Sequence, residues 1–135
     1  MPVVLNVGLD PAALERSTTP SEAFPRVDAK EVRDGLEASR AALAELGLDF
    51  ETCLIDRGPA AEDVLRRKLQ QQHFDIIMFG GGVRLEPSLT HLFEVLINCA
   101  IQHSPRSTLC FNTGPDTTVE AVQRWWPERT PLRLD

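Results

Sequence analysis

The chain predicts an α/β fold, a three-layer sandwich in which helices cover both faces of a four-stranded parallel sheet. Three observations predict it. Short apolar runs alternate with amphipathic stretches in the order βαβαβαβα, and strict alternation implies parallel strands joined by right-handed crossovers. The run Phe74–Phe79 (Phe-Asp-Ile-Ile-Met-Phe) is almost wholly apolar without alternation and ends in three glycines, as a central strand covered on both faces does. The 135 residues, 42% hydrophobic and 25% charged, suit a single domain, 1–135, with a core of its own.

Val3–Leu9 reads as the first strand, β-branched and stopped by Gly8 and Asp10-Pro11. Residues 10–27 hold three prolines and the polar run Arg16–Thr19 without periodicity, which predicts a long loop or lid. Asp28 opens a helix, with Glu31 at the capping-box spacing; Val32, Leu36, Leu43 and Leu46 share a face, and Gly47 ends it. Phe50–Ile55 is the second strand. After the turn at 56–59, Val64, Leu65 and Leu69 form the apolar stripe of a second helix whose other face carries Glu62, Arg66, Arg67 and Lys68. Phe74–Phe79 is the third strand, Pro87–Ser104 the third helix, and Ser107–Thr113 the fourth strand. Thr117 and Glu120 repeat the capping-box spacing in a last helix, anchored by Val122, Trp125 and Trp126 and stopped by Pro127; residues 127–135 form an extended tail.

The expected strand order is 2-1-3-4, a flavodoxin-like sheet without its fifth strand; the alternative is the Rossmann-like 3-2-1-4. In such sheets ligands bind beyond the carboxyl ends of the strands where the order reverses, here between the first and third strands. That rule brings together Asn6, Gly8 and Asp10, then Gly80, Gly81, Gly82 and Arg84, with Asn112, Thr113 and Asp116 nearby. The glycine triplet permits positive φ and close backbone approach to a ligand, and its N–H groups suit an anion. Arg84 is expected to clamp a phosphate or carboxylate, or else to pair with a surface carboxylate. No Gly-x4-Gly-Lys-Ser/Thr or Gly-x-Gly-x2-Gly motif is present, and the acidic pair and lysine of a receiver domain are missing. Asp-Ile-Ile-Met-Phe-Gly-Gly-Gly at 75–82 resembles the third strand of universal-stress-type nucleotide-binding domains, although that family's later glycine-rich phosphate loop is not found.

The third helix is unusually apolar. His91, Glu94, Asn98 and Gln102 form one narrow polar stripe, so a second flank must be buried, against another helix or a partner chain; a homodimer through helix 88–103 is expected. His91 and Glu94 are the candidate acid–base groups. Cys53, Cys99 and Cys110 each sit in apolar segments, an odd number without a Cys-x-x-Cys pair, and read as buried thiols. They and an N-terminus without a basic export signal point to the cytoplasm. A net charge of −6 lacks the footprint of a nucleic-acid binder, and no apolar run is long enough for a membrane span. No metal-ligand spacing is present, and no cofactor is specified.

Three functions compete. The first is a binding protein for an anionic small molecule held over the Gly80–Arg84 loop. The second is a hydrolase or lyase on a phosphorylated or carboxylated metabolite, with Glu94 and His91 as acid–base groups, Asn112 orienting the substrate, and Arg57 and the 16–19 segment as gate. The third is a protein-interaction module using the third helix and the Trp125-Trp126 pair.

Overall fold

Val3–Leu9 (β1) is buried along nearly its whole length, and this places it in the middle of the sheet. It pairs in parallel with Asp49–Ile55 (β2) on one side and Ile76–Phe79 (β3) on the other, and β3 pairs in parallel with Thr108–Phe111 (β4). The order is β2-β1-β3-β4, an all-parallel sheet of flavodoxin-like type. The Rossmann-like alternative is thereby excluded. The computed structural model describes residues 1–12 and 29–132.

Side-chain alternation sorts the helices into two layers. Leu5, Val7 and Leu9 of β1, with Ile77 and Phe79 of β3, face helices Ala61–Gln71 (α2) and Thr90–His103 (α4) through Leu65, Leu69, Leu96 and Ala100. Val4, Ile76, Met78 and Cys110 face the opposite way, against Ala29–Glu45 and a short helix near the C-terminus, through Leu43, Ala121 and Val122. We call these helices α1 (Ala29–Glu45) and α5 (Thr118–Gln123). A single helical turn, α3 (Gly81–Arg84), follows β3, and a 3₁₀ turn at Pro87–Leu89 leads into α4.

Helix α1 ends as its sequence predicts. Gly47 has φ +83°, its N–H bonds the Ala44 carbonyl at 3.0 Å, and the Leu48 N–H reaches back to Leu43 at 3.0 Å. Leu43 and Leu48 are both buried, the apolar contact that accompanies this type of helix end. Asp28, the expected cap at the other end, lies outside the described residues.

Several local expectations are revised. Pro11 and Ala12 are helical, where an irregular segment was expected from residue 10. The reason is local: the Asp10 carboxylate accepts the Ala12 N–H at 2.9 Å with Pro11 between them, an N-cap followed by proline at the first helical position. The 16–19 run and the rest of the 13–28 segment lie outside the described residues, as do residues 133–135 of the tail. Val64 is 44% exposed and belongs to the solvent side of α2, whose buried stripe is Ala61, Leu65 and Leu69. Helix α5 stops at Gln123. Its last turn tightens, with the Trp125 and Trp126 N–H groups both taking the Val122 carbonyl at 3.0 Å, so the chain leaves the helix before Pro127 would collide with it. Trp125 and Trp126 still pack on the core, from the turn beyond. The Thr117 hydroxyl does not cap α5; it accepts the Thr113 and Gly114 N–H groups at 2.9 and 3.1 Å and braces that turn.

Candidate functional site

On the α1/α5 side of the sheet the side chains form rows across the strands. One row runs Thr52, Asn6, Met78, Cys110 by direct register. The next row toward the carboxyl ends pairs Leu54 with Gly8, and the same register continued places Gly80 beside Gly8 and Asn112 beside Gly80. Two adjacent strands thus carry glycine at the same level, and the missing side chains leave a gap between Leu54 and Asn112. Val32 and Leu36 of α1 wall it on one side, Pro115 and Thr118 on another, and the Gly80–Gly82 turn closes its rim. The crevice holds about 80 Å³, roughly the share of three waters in the liquid.

Backbone conformation does not explain these glycines. Among the described residues only Gly47 has positive φ, so the positive φ that the triplet permits is not used. Gly80 is extended at φ −72°, ψ 154°, and Gly81 and Gly82 enter a helical turn. Packing does not explain Gly8, Gly80 and Gly82 either. A Cβ at Gly8 would stand 3.8 Å from the Asn6 side chain, one at Gly80 3.6 Å from the Val7 carbonyl oxygen, and one at Gly82 3.6 Å from Leu9, all ordinary contacts. Gly35 behaves differently. A Cβ there would fall 2.8 Å from the Pro115 carbonyl oxygen, so this glycine lets α1 meet the loop that forms the crevice wall.

The polar groups divide into engaged and unengaged. Asn112 is 6% exposed and fully used: its Oδ1 accepts the Gly81 N–H at 3.0 Å and its Nδ2 donates to Thr118 Oγ1 at 2.9 Å. It ties β4, α3 and α5 together at the crevice edge. Asn6, 5% exposed, makes no hydrogen bond through its carboxamide among the described residues. Its polar atoms are not sealed in the core, since among the described residues only the Arg84 Nε is a fully buried unpaired polar atom; the carboxamide opens onto the crevice. The first-turn N–H groups of Gly82 and Val83 are likewise without partners among the described residues. None of the described residues lining the crevice carries an ionisable side chain.

Six of the residues expected at the site, Asn6, Gly8, Gly80, Gly81, Gly82 and Asn112, line this crevice together. Three do not. Asp10 serves as the cap described above, and Thr113 is exposed and bonded to Thr117. Arg84 lies to the side: its Nη2 donates to the Asn112 carbonyl at 2.5 Å and its guanidinium carbon sits 5.5 Å from the Phe111 ring centre. That ring belongs to a trio with Phe79 and Phe93, centroids 5.9–6.2 Å apart. The Arg84 Nε is buried without a hydrogen-bond partner, and among the described residues no carboxylate pairs with this side chain. Asp116 and Arg57 are exposed on their turns. His91 and Glu94 are exposed on α4 and do not line the crevice.

Helix α4 accounts for much of its own excess apolarity. Its polar stripe, His91, Glu94, Asn98 and Gln102, is the exposed face, and α2 covers one flank, where the Cys99 thiol approaches the Glu62 carbonyl at 3.9 Å. All three thiols are buried. Burial pushes Cys53 up to about 11 and Cys110 up to about 12, and raises Cys99 as well, so none is a thiolate at neutral pH. Among the described residues no group of three His, Cys, Asp or Glu could hold a metal, and no helix is long and apolar enough to cross a membrane.

Sequence reasoning missed Leu54, Val32, Leu36, Pro115 and Thr118 as crevice walls. The signal for Leu54 lay in the register opposite Gly8; Val32 and Leu36 were visible as a helix face but not as part of a site. No protein-family model matches the chain, and no curated protein matches it.

Proposed function

We propose that the chain binds a small molecule in the crevice at the carboxyl ends of β1 and β3, with a phosphate or carboxylate of the ligand received at the Gly80–Arg84 turn. The observation that carries this reading is the glycine pair at one level of the sheet, Gly8 and Gly80, where neither dihedral angle nor neighbouring atoms demand glycine. A fold kept for stability alone gains from alanine at such positions; an open crevice does not. The unengaged N–H of Gly82 at the crevice rim supplies a donor for the anionic end, Arg84 beside the Asn112 carbonyl supplies a charge that attracts it from the edge, and the apolar walls take the body of the ligand.

The test is a thermal-shift screen against nucleotides, flavins, coenzyme A, sugar phosphates and dicarboxylates. A ligand at 100 times its dissociation constant stabilises by about 2.7 kcal/mol. That raises the melting temperature by about 8–10 °C for a chain of 135 residues. The expected hit is weakened by Arg84→Ala and lost in Gly82→Ala. A blank screen, or a hit indifferent to both substitutions, refutes the reading.

A second reading, self-association through the helix at 88–103, is favoured by Ile101, which is 55% exposed on α4. Sedimentation equilibrium of the wild-type chain and Ile101→Glu decides it: a dimer that the charge dissociates supports it, a monomer in both removes it.

A further inference from the structure

We infer that the inner end of the crevice reads an uncharged amide edge and that Asn6 is the residue that reads it; this rests on the crevice being the binding site proposed above. Asn6 lies on β1 one row beneath Gly8, nineteen-twentieths buried, and lines the crevice. Its carboxamide lies 3.8 Å from the point where a side chain at Gly8 would begin, so it faces up the strand into the space that Gly8 leaves open. Among the described residues it makes no hydrogen bond. The other buried amide of the crevice, Asn112, has both ends occupied by Gly81 and Thr118. An amide unbonded to protein and open to the crevice is a place for an incoming partner.

The chemistry of that partner follows from the chemistry of the carboxamide. It offers an N–H donor beside a carbonyl acceptor. The matching edge is an acceptor beside a donor, as in a lactam, an imide or a pyrimidine-type base. Leu36, Leu54 and Pro115 present apolar surface to the faces of such a ring. No ionisable side chain of the described residues lines the crevice, so a charge at this depth meets no counter-ion. The neutral edge therefore goes to Asn6 and any anionic group to the outer turn. Gly8 is then a specificity device, since its missing side chain keeps the carboxamide uncovered.

Three probes of similar size separate the outcomes in amide-detected NMR titrations of the intact chain: 2-pyridone, which has the lactam edge; toluene, which has none; and benzoate, which is anionic. The expected result is that 2-pyridone moves the Asn6 side-chain NH₂ and the Gly8 and Gly80 amides. It should bind at least about tenfold more tightly than toluene, the size of a net hydrogen bond. Asn6→Leu brings the two probes to parity without lowering the melting temperature. Gly8→Ala, whose methyl makes only an ordinary contact with Asn6, abolishes 2-pyridone binding and keeps the inference testable if Asn6→Leu misfolds. Equal binding of 2-pyridone and toluene by the wild-type chain, or affinity for 2-pyridone indifferent to Asn6→Leu, overturns the role of Asn6 while the crevice remains a binding site. Benzoate binding at the Gly82 amide with no response to 2-pyridone overturns it too and leaves the anionic reading standing. No response at any crevice amide to any probe overturns both.

Discussion

Replacing Gly80 and Gly82 together by alanine separates two explanations of a glycine-rich strand end. If the turn needs glycine, alanine destabilises the fold; if the crevice needs it, alanine stabilises the fold and fills the crevice. The geometry favours the second outcome. Gly80 has φ −72° and ψ 154°, which alanine adopts freely, and Gly82 lies in a helical turn. The added methyls would stand 3.6 Å from the Val7 carbonyl oxygen and 3.6 Å from Leu9, ordinary van der Waals distances. A glycine-to-alanine change at a compatible position stabilises by about 0.4–1 kcal/mol, chiefly by restricting the unfolded chain. The two together are expected to add about 1–2 kcal/mol, or about 3–7 °C in melting temperature for 135 residues. The assay is thermal and urea unfolding of wild type and double variant, paired with the ligand screen. A loss of stability greater than about 1 kcal/mol would refute the steric argument, because a gain from restricting the unfolded chain requires a native site free of strain. A stable variant with undiminished ligand affinity would refute the placement of the site.

Gly35→Ala is expected to act in the opposite direction. Its Cβ would come within 2.8 Å of the Pro115 carbonyl oxygen, and forcing α1 away from that loop outweighs the helix-propensity gain; the net loss, about 1–2 kcal/mol, is read by urea unfolding. The three thiols are expected to resist a thiol reagent at pH 8 in the native chain and to react completely in denaturant, since burial holds Cys53 at about 11 and Cys110 at about 12, against about 8.5 for a free thiol. Glu51 is held below its ordinary value of 4.5, first by the hydrogen bond from Lys68 and also by that from Gln72, against the opposing effect of burial. Its folded form therefore binds a proton less readily than the unfolded chain. The stability it contributes is present above about pH 4.5 and is lost as pH falls through the folded value. The pair is partly exposed and solvent screening keeps it to about 1 kcal/mol or less, so Glu51→Gln should flatten only a small part of the acid limb in a pH series of melting temperatures.

The architecture was legible because its signals are local and periodic. The unbroken apolar run before Gly80 marks a strand covered on both faces, and Gly47 marks a helix end that the structure reproduces down to its Leu43–Leu48 contact. Connection rules applied to four such elements leave two orders, 2-1-3-4 and 3-2-1-4, and the strand pairing decides for the first. The site was legible only as a list. Sequence placed Asn6, Gly8 and the triplet at one edge of the sheet, yet their meaning depends on register, which sets Gly8 beside Gly80 across a long stretch of intervening chain and which no local pattern encodes. Asp10 shows the converse. Asp10-Pro11 is a local helix-start signal, and the carboxylate caps that start and does not line the crevice. Arg84 was expected to meet a carboxylate or an anion; it found a backbone carbonyl and an aromatic ring, partners that no spacing rule predicts.

The glycines show why composition alone could not separate fold from function. Gly47 is required by its positive φ, and Gly35 by a neighbouring carbonyl that a Cβ would strike. Gly8, Gly80 and Gly82 meet neither requirement, and all three border one crevice. Gly8 and Gly82 weaken the strand and the helical turn that hold them, since glycine there is less stable than alanine by about 0.5–1 kcal/mol, while Gly80 stands between the two at the head of the turn. Glycines that neither dihedral angle nor packing demands, converging on a single space with an unbonded carboxamide opening onto it, are more simply explained by a ligand than by the needs of the turn. Should the alanine variants prove less stable than wild type, that explanation loses its basis, and the triplet returns to being a turn.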